Sequence, residues 1–411
     1  DKLLYDGKTK ISVITDNVSL ADPQVTLTTD KLIYDGNKDM ASYITWGEIV
    51  SKSNVLVSKK GYYYTHDKHF IFHDEVVLEN PQYTIFTDTL HYNTITEIAF
   101  LYGPSVIRSD ENTIYCERGW YDTQKDIASF MKRAWLTNNE HKIVGDSLYY
   151  DRNLSYGRAY RNVEIHDTLN NFTVYGHFGE YFEDNGRSFI TDSAYAVMVD
   201  NADSLFLHAD SLHITFDTLQ QGKLFKAYHQ AKFFRNDFQG AADSIIYNFS
   251  DSTVKMYHAP VIWFDDTEAI ADSITLLFKD GQLFRMFLHS ASFIISSDAP
   301  QKYNQIKGKN VTGFFNDGIL KKMYVESNSE TIYYVRDEHE ALVGINKAVS
   351  TSLRIEFEDG TVSGIVFLEK PVGTIFPEKE LRESERYLKG FSLRTKERPL
   401  TKEDIFKSSA K

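Results

Sequence analysis

One tyrosine recurs at a fixed step. Tyr5, Tyr34, Tyr63, Tyr92, Tyr121 and Tyr150 each lie 29 residues after the last. Four share a local text: Asp1-Lys-Leu-Leu-Tyr5, Asp30-Lys-Leu-Ile-Tyr34, Asp88-Thr-Leu-His-Tyr92 and Asp146-Ser-Leu-Tyr-Tyr150. The other two carry Gly61 and Gly119 where these carry Leu. After Tyr150 the step loosens, and the text returns at Gly179-Glu-Tyr181, Asp210-Ser-Leu-His-Ile214, Asp243-Ser-Ile-Ile-Tyr247 and Asp272-Ser-Ile-Thr-Leu276. A period of this size is the mark of a stacked repeat, in which each unit buries its apolar face only against its neighbours. It overrides the two or three globular domains that 411 residues would otherwise suggest.

Each unit reads as two extended segments of about 11 to 14 residues joined by a short turn rich in Asp, Asn and Gly, such as Asp35-Gly-Asn-Lys38 or Asp151-Arg-Asn-Leu154. Such short turns make neighbouring strands antiparallel. The 26 Tyr and 28 Phe, against 8 Pro, suit strands. Strands this long bend. Small residues or Thr precede the recurrent Asp (Thr29, Thr87, Gly145, Ala209, Ala242, Ala271), and Gly47, Gly103 and Ala259-Pro260 interrupt the second segments. Each strand is therefore expected to cross a corner between two walls. A double period is superimposed: Leu20-Ala-Asp-Pro23-Gln24-Val-Thr26 returns 58 residues on as Leu78-Glu-Asn-Pro81-Gln82-Tyr-Thr84.

Three regions follow. Residues 1–300 are the repetitive body. Residues 301–375 read as smaller hairpins continuing the sheet, with tight turns at Asn316-Asp-Gly318 and Glu358-Asp-Gly360. Residues 376–411 read as a charged tail with a short helix near 377–389, started by Pro377 and stopped by Gly390. Its apolar side (Leu381, Leu388, Phe391) is expected to fold over the last strand and cap that edge, whereas Leu3, Leu4 and Tyr5 offer a docking edge at the other end.

The net charge of −13 makes the chain a poor partner for nucleic acid. The single cysteine, Cys116, allows no intrachain disulfide. No run of apolar residues is long enough to span a bilayer. No signal peptide is visible, and the first residues already belong to a repeat, which implies a mature or trimmed chain. Phosphate loops, nucleophile elbows and metalloprotease motifs are missing from the sequence, so no catalytic residue, cofactor or metal is expected. The recurrent Asp column is read as corner residues, because Lys59 replaces it once and calcium-roll repeats do not occur. His66, His69 and His73 are read as solvent-facing, and Asp184, Asp265 and Asp266 as turn residues.

The remaining signal is an aromatic and aliphatic ladder in alternate positions. Its members are Leu32, Tyr34, Phe72, Val76, Leu90, Tyr92, Phe100, Phe130, Leu148, Tyr150, Tyr160, Val163, Leu212, Ile245, Tyr247, Tyr257, Val261, Ile274 and Leu276. These residues serve equally as a closed core between two walls or as the lining of an apolar groove.

The small-Asp-x-Leu-x-Tyr pattern, followed by an aromatic and then Val-x-Leu or Val-x-Ile, resembles the OstA/LptA family of lipopolysaccharide-transport proteins, in particular its long OstA-like members from Bacteroidetes. The run Ile306 to Val325, Thr331-Ile-Tyr-Tyr-Val335 and Gly344-Ile-Asn-Lys347 carry the same resemblance, which covers residues 1–375. It implies an all-β, elongated, open antiparallel β-jellyroll, V-shaped with two walls and located in the periplasm. Acyl chains of lipopolysaccharide or a lipid A-like glycolipid would lie in the groove. Inner- and outer-membrane transport proteins would join by end-to-end strand addition. Two other classes remain open: a closed structural or adhesive β-solenoid without ligand, and a carbohydrate-acting β-helix enzyme using Asp265 and Asp266.

Overall fold

The computed structural model describes residues 2–21, 25–110, 112–138, 141–168, 171–182, 184–199, 204–217, 222–358 and 361–407. They form two compact units, Asp1–Asn185 and Gly186–Lys411. The pairings among the described strands are antiparallel and join segments adjacent along the chain, a bent strand counting as one segment even where its corner divides it, as at Met40–Tyr43 and Gly47–Ser51; the helical elements among the described residues are 3-10 turns of three to five residues.

The turns explain the tyrosine step. Five residues after each tyrosine the backbone is left-handed, at Lys10, Asp39, Lys68, Glu97, Asp126 and Ser155. The turn carboxylate or amide caps the turn: Asn93 Oδ1 accepts from the N–H groups of Ile95 (2.9 Å) and Thr96 (3.0 Å), and Asp122 Oδ1 from those of Gln124 (3.1 Å) and Lys125 (2.9 Å). Asp317 and Gly318 are both left-handed, the geometry that favours Asp-Gly in a two-residue hairpin. The sequence signals at Asp22-Pro23-Gln24 and Asp359-Gly360 lie outside the described residues.

The corners are two-residue bulges. Asp74-Glu75, Lys132-Arg133, Arg161-Asn162, His229-Gln230, Ser290-Ala291 and Ser327-Asn328 each place two consecutive residues at positive φ. Across from Asp74-Glu75 and Lys132-Arg133 stand the single residues Asp88 and Asp146. The recurrent aspartate is therefore the residue opposite a bulge. Its backbone N–H bonds to a bulge carbonyl: Asp210 to His229 (3.0 Å), Asp243 to His258 (3.3 Å), Asp272 to Ser290 (3.1 Å). Lys59, which occupies the same column, bonds Asp74 in the same way at 3.0 Å. The mismatch of two residues against one bends the strand pair. The residue before the Asp points into the closed angle, where only small groups fit: Thr29, Ser58, Thr87, Cys116, Gly145, Ala209, Ala242 and Ala271 are all buried. Thr87 Oγ1 and Ser105 Oγ bond across this angle at 2.7 Å.

Inside the angle, side chains stack in register. On one wall of the first unit the column runs Phe72, Leu90, Leu101, Gly119, Phe130, Leu148, Ala159, Gly179. On the other it runs Leu20, Leu27, Ile49, Leu56, Leu78, Ile85, Ile107, Ile114, Leu136, Ile143, Ile165, Val174. The two columns meet in one hydrophobic cluster. Burial is complete at the corner (Val76, Cys116, Ala134) and falls off toward Tyr63, Tyr92 and Tyr121. That gradient is the cross-section of an open V. Each fully buried Leu or Phe contributes about 1.5–3 kcal/mol.

Two expectations are corrected. Residues 301–375 are not smaller hairpins: Lys302–Asn316, Ile319–Arg336 and Leu342–Glu358 have 15, 18 and 17 residues and are among the longest strands described. The short runs legible in the sequence are the two halves of bent strands, divided by bulges such as Ser327-Asn328. Residues 377–389 form no α-helix. Glu378–Glu380 and Glu383–Arg386 are single 3-10 turns separated by an extended Leu381. Leu381 and Leu388 reach one cluster on the sheet, with Ile332, Tyr334 and Ile345. Sheet side chains take the carbonyls: Gln305 Nε2 donates to Arg386 O (2.8 Å) and Lys347 Nζ to Glu385 O (2.8 Å). A helix this short is marginal on its own, and these contacts favour the open form.

Candidate functional site

The apolar angle is the candidate site. Leu32, Phe72, Val76, Leu90, Phe130, Leu148 and Val163 are buried within it, and Tyr34, Tyr92 and Tyr150 stand half-buried nearer its mouth on the same face. In the second unit Leu212, Ile245, Ile274 and Leu276 are buried in equivalent columns, with Tyr247 beside Val254 and Phe225.

Four candidates face the other way. Phe100 pairs with His91 and Trp120, one position out of phase with Leu101, and is exposed. Tyr160 is exposed opposite Ser147 and Phe178. Tyr257 pairs with Ser244 and Ser273, on the face opposite Met256. Val261 clusters with Ala241, Trp263 and Ile270 instead of the inner column. The bulge resets the alternation: Tyr160 and Tyr257, immediately before a bulge, and Val261, second after one, lie outside, while Phe100 holds the outer phase of a half-strand whose inner position is Leu101. The outer aromatics pack on one another, with the His91 and Tyr102 rings tilted and 4.9 Å apart.

Apart from Leu78 and Ile165, the wall-two column of the first unit was missed by the sequence reading, although its members also repeat every 29 residues: Leu20, Ile49, Leu78, Ile107, Leu136, Ile165, and Leu27, Leu56, Ile85, Ile114, Ile143. Aliphatic residues are too common to stand out as tyrosine does.

The angle is neutral. Burial, helped by the Tyr121 hydroxyl donating to Asp126 at 2.5 Å, raises the Tyr121 phenol well above its ordinary value. Burial alone pushes Tyr43 up to about 12, although the bond to Ser58 pulls the other way. The Tyr43 ring lies between Gly47 and Gly61, where an added Cβ at either position would overlap the ring. That contact gives the Leu/Gly alternation one physical cause: Gly61 makes room for a neighbouring ring. Beside it a small recess of about 30 Å³ opens between the walls, lined by Leu27 and Ile49 on one side and Leu32, Tyr63, Phe70 and Phe72 on the other.

Among the described residues no group of three or more His, Cys, Asp or Glu has metal-binding geometry. His69 and His73 lie on the outer face with His91 between them, at ring distances of 5.3 and 6.2 Å. Asp265 and Asp266 are turn residues whose carbonyls accept from Arg398 and from the Ser297 N–H. No helix among the described residues is long and apolar enough to cross a membrane, a statement that does not bear on β-barrels.

The bulge, the corner aspartate and the inner columns coincide with a known sequence pattern. Residues 1–88 and 75–146 match the family described as OstA-like protein. Over this span the chain is similar to OstA-like proteins. Among solved structures it is similar to LptH, described as the LptA homologous periplasmic component of the conserved lipopolysaccharide transport device from Pseudomonas aeruginosa. The identity is 11%, the match covers 36% of this chain and 82% of that one, and the TM-score is 0.19. No curated protein matches the sequence.

The OstA-like span ends before the second unit, where the tail has a role of its own. It lies on the outer face of the second wall, not on the terminal edge as expected from its apolar residues. Glu268, buried in that face, accepts from Trp263 Nε1 (2.9 Å) and from the Arg394 N–H (2.9 and 3.0 Å). Gln239 accepts from Arg398 Nε at 2.8 Å, and the buried Lys232 donates to Lys407 O at 2.6 Å. These buried polar side chains recognise the tail largely through its backbone. The edge strands Thr361–Leu368 and Val372–Phe376 pair only with Leu342–Glu358 among the described residues.

Proposed function

We propose that the protein is a non-enzymatic, periplasmic bridge that carries the acyl chains of lipopolysaccharide along its apolar angle. The observation that carries this reading is the unbroken inner column. In the first unit, every described position of the wall-two column from Leu20 to Val174 is apolar, in register across successive strands. A closed core needs density at its centre only, whereas a path for a sliding chain needs the same surface at every strand. The OstA-like match over residues 1–146 supports the same direction. Inner- and outer-membrane transport proteins would join at exposed strand edges, by the pairing that free edges invite. Candidate edges are Leu3, Leu4 and Tyr5 at one end and Val372 and Ile375 at the other, all exposed.

The test is photo-crosslinking from single positions. Probes at Leu90 and Leu148 should capture lipopolysaccharide, and probes at His91, Phe100 and Tyr149 should not. Equal capture from both sets, or none from either, overturns the reading; capture from neither set is the result a closed solenoid gives.

A further inference from the structure

Five strands of the second unit repeat one short text: Arg187-Ser-Phe189, Lys226-Ala-Tyr228, Lys255-Met-Tyr257, Arg285-Met-Phe287 and Lys322-Met-Tyr324. The middle residue of each (Ser188, Ala227, Met256, Met286, Met323) is buried on the inner face. The cation and the aromatic residue beside it therefore stand on the outer face of the first wall. These strands are every second one in a run of nine, with Ser211–Phe216, Phe238–Asn248, Ser273–Lys279 and Lys302–Asn316 between them. At about 4.8 Å per strand, the cations recur every ~10 Å over about 40 Å.

None of these five cations makes an ion pair among the described residues. Directly across from them stand Thr215, His213, Ile246, Thr275, Leu277 and Phe314. Burial, with the charge of Lys226 adding to it, holds the His213 imidazole below its ordinary value. Glu356, the other neighbour of Lys322, is bound to Arg354 at 3.2 Å. The Arg285 guanidinium lies over the rings of Phe314 (5.0 Å) and Phe284 (5.7 Å), and its buried Nε has no acceptor. The aromatic members pack between the cations: His213 stacks on Phe189 at 5.7 Å and meets Tyr228 edge-on at 5.2 Å. Toward the corner the track ends on carboxylates, Asp210, Asp243, Asp272 and Glu326. At the turns Asp251, Asp280 and Asp317 are mixed with Lys223, Lys279 and Lys321.

We propose that this track binds an acidic polysaccharide with one negative charge on every second sugar ring. The charge step decides the class of polymer. Two linked sugars are about as long as two strand spacings, whereas phosphates along one strand of DNA lie about 3.4 Å apart and would leave most of their charge unmatched. The aromatic faces beside the cations suit sugar rings, whose C–H groups pack against the negative face of an aromatic ring. An anionic bilayer would cover the whole face and meet the corner carboxylates as well as the cations. A single polymer strand lying in the track avoids them, which is how a chain of net charge −13 can hold a polyanion. The track lies outside the apolar angle, so the proposal does not rest on the lipid path.

The experiment uses the full chain and a fluorescent hyaluronate oligosaccharide, which carries a carboxylate on every second ring, read by fluorescence anisotropy. It should bind at low salt and weaken as the Debye length falls from about 30 Å at 0.01 M to about 8 Å at 0.15 M, below the cation step. Neutral dextran of the same length should not bind. Oligogalacturonate with the same number of carboxylates, one on each ring, should bind more weakly because it spans half the track. Lys255→Gln and Arg285→Gln should each lower the affinity about twofold to fivefold, the range of one exposed ion pair, and the two losses should multiply. Melting temperatures should stay at the parent's value. Lys396→Gln makes the same charge change at an exposed position on the tail and should leave the affinity unchanged. Failure of hyaluronate to bind, full binding by the double variant, or an equal loss in Lys396→Gln overturns the proposal. So does binding of oligogalacturonate or oligothymidylate as tight as that of hyaluronate. Binding to phosphatidylglycerol vesicles that the double variant abolishes, without hyaluronate binding, overturns it in favour of a membrane face. Each of these results leaves the lipid path as it stands.

Discussion

At the scale of single residues, the fold turns on contacts between rings and missing side chains. Gly61 and Gly47 sandwich the Tyr43 ring, which is buried and bonds Ser58 at 2.6 Å. With glycine on both sides the ring has no direction in which to yield. Gly61→Ala should therefore destabilise the chain by about 1–3 kcal/mol, the usual cost of overpacking. Adding Tyr43→Leu should recover part of that loss, and denaturant titration of the two variants checks it. Cys116 gives a second residue-scale outcome. Burial pushes its thiol up to about 11, so it stays protonated where a free cysteine ionises. The folded state holds this proton longer than the unfolded one. The contribution to stability is thus complete below the unfolded value and declines as pH rises from about 9 toward 11. At pH 8 a thiol reagent should modify Cys116 only as fast as the corner opens, and addition of denaturant should accelerate the reaction sharply. The inward position of Leu90 and the tyrosines was legible in the sequence because alternation holds within one half-strand. The outward position of Tyr160, Tyr257 and Val261 was not, because the bulge shifts the phase and two-residue bulges leave no fixed residue signature: Asp-Glu, Lys-Arg, His-Gln and Ser-Ala all serve.

At the scale of elements, strands and turns were legible and the tail was not. Turn signals such as Asn316-Asp-Gly318 act locally, so their chemistry is visible in the residues themselves. The tail takes its conformation from partners far away in sequence: Gln305, Glu268, Gln239 and Lys232. Two apolar runs hinted at it, Val261-Ile262-Trp263 being one, buried throughout. Phe293-Ile294-Ile295 is a continuous apolar run, the pattern of a segment covered on both faces, and all three are buried, whereas in the run Met286-Phe287-Leu288 of the same strand Phe287 is only half-buried. Glu268 is the central tie. Glu268→Ala would leave the Trp263 and Arg394 N–H groups without an acceptor, at about 1–3 kcal/mol for each buried group. The expected outcome is a tail that detaches while the sheet persists. Trypsin should then cut within residues 389–398 many times faster than in the parent, with the remaining strands still protected. Equal cleavage rates in both proteins would show that Glu268 does not hold the tail.

At the scale of the whole molecule, the open question is how a stack of strands ends. An antiparallel stack that does not close on itself leaves an edge of unpaired N–H and C=O groups, which pairs with another chain unless it is blunted. Charged residues blunt such edges, and Lys370 at the bend between Thr361–Leu368 and Val372–Phe376 is one such charge. The strands themselves expose Val366, Leu368, Val372 and Ile375. The tail does not cover them, since its bonds go to the outer face of the wall. Removal of the tail therefore uncovers Trp263, Ile332 and Tyr334 and leaves the terminal edge as it was. The two surfaces give separable outcomes. Under the proposed bridging role, Val372→Lys with Ile375→Lys should abolish end-to-end association, measured by light scattering across a concentration series, without lowering the melting temperature. Deletion of residues 377–411 should instead produce association that persists when the same two substitutions are present, because it arises from the bared face. If the double substitution leaves association of the full chain unchanged, strand addition at this edge is wrong; if it also suppresses association of the truncated chain, the bared face is not what drives it.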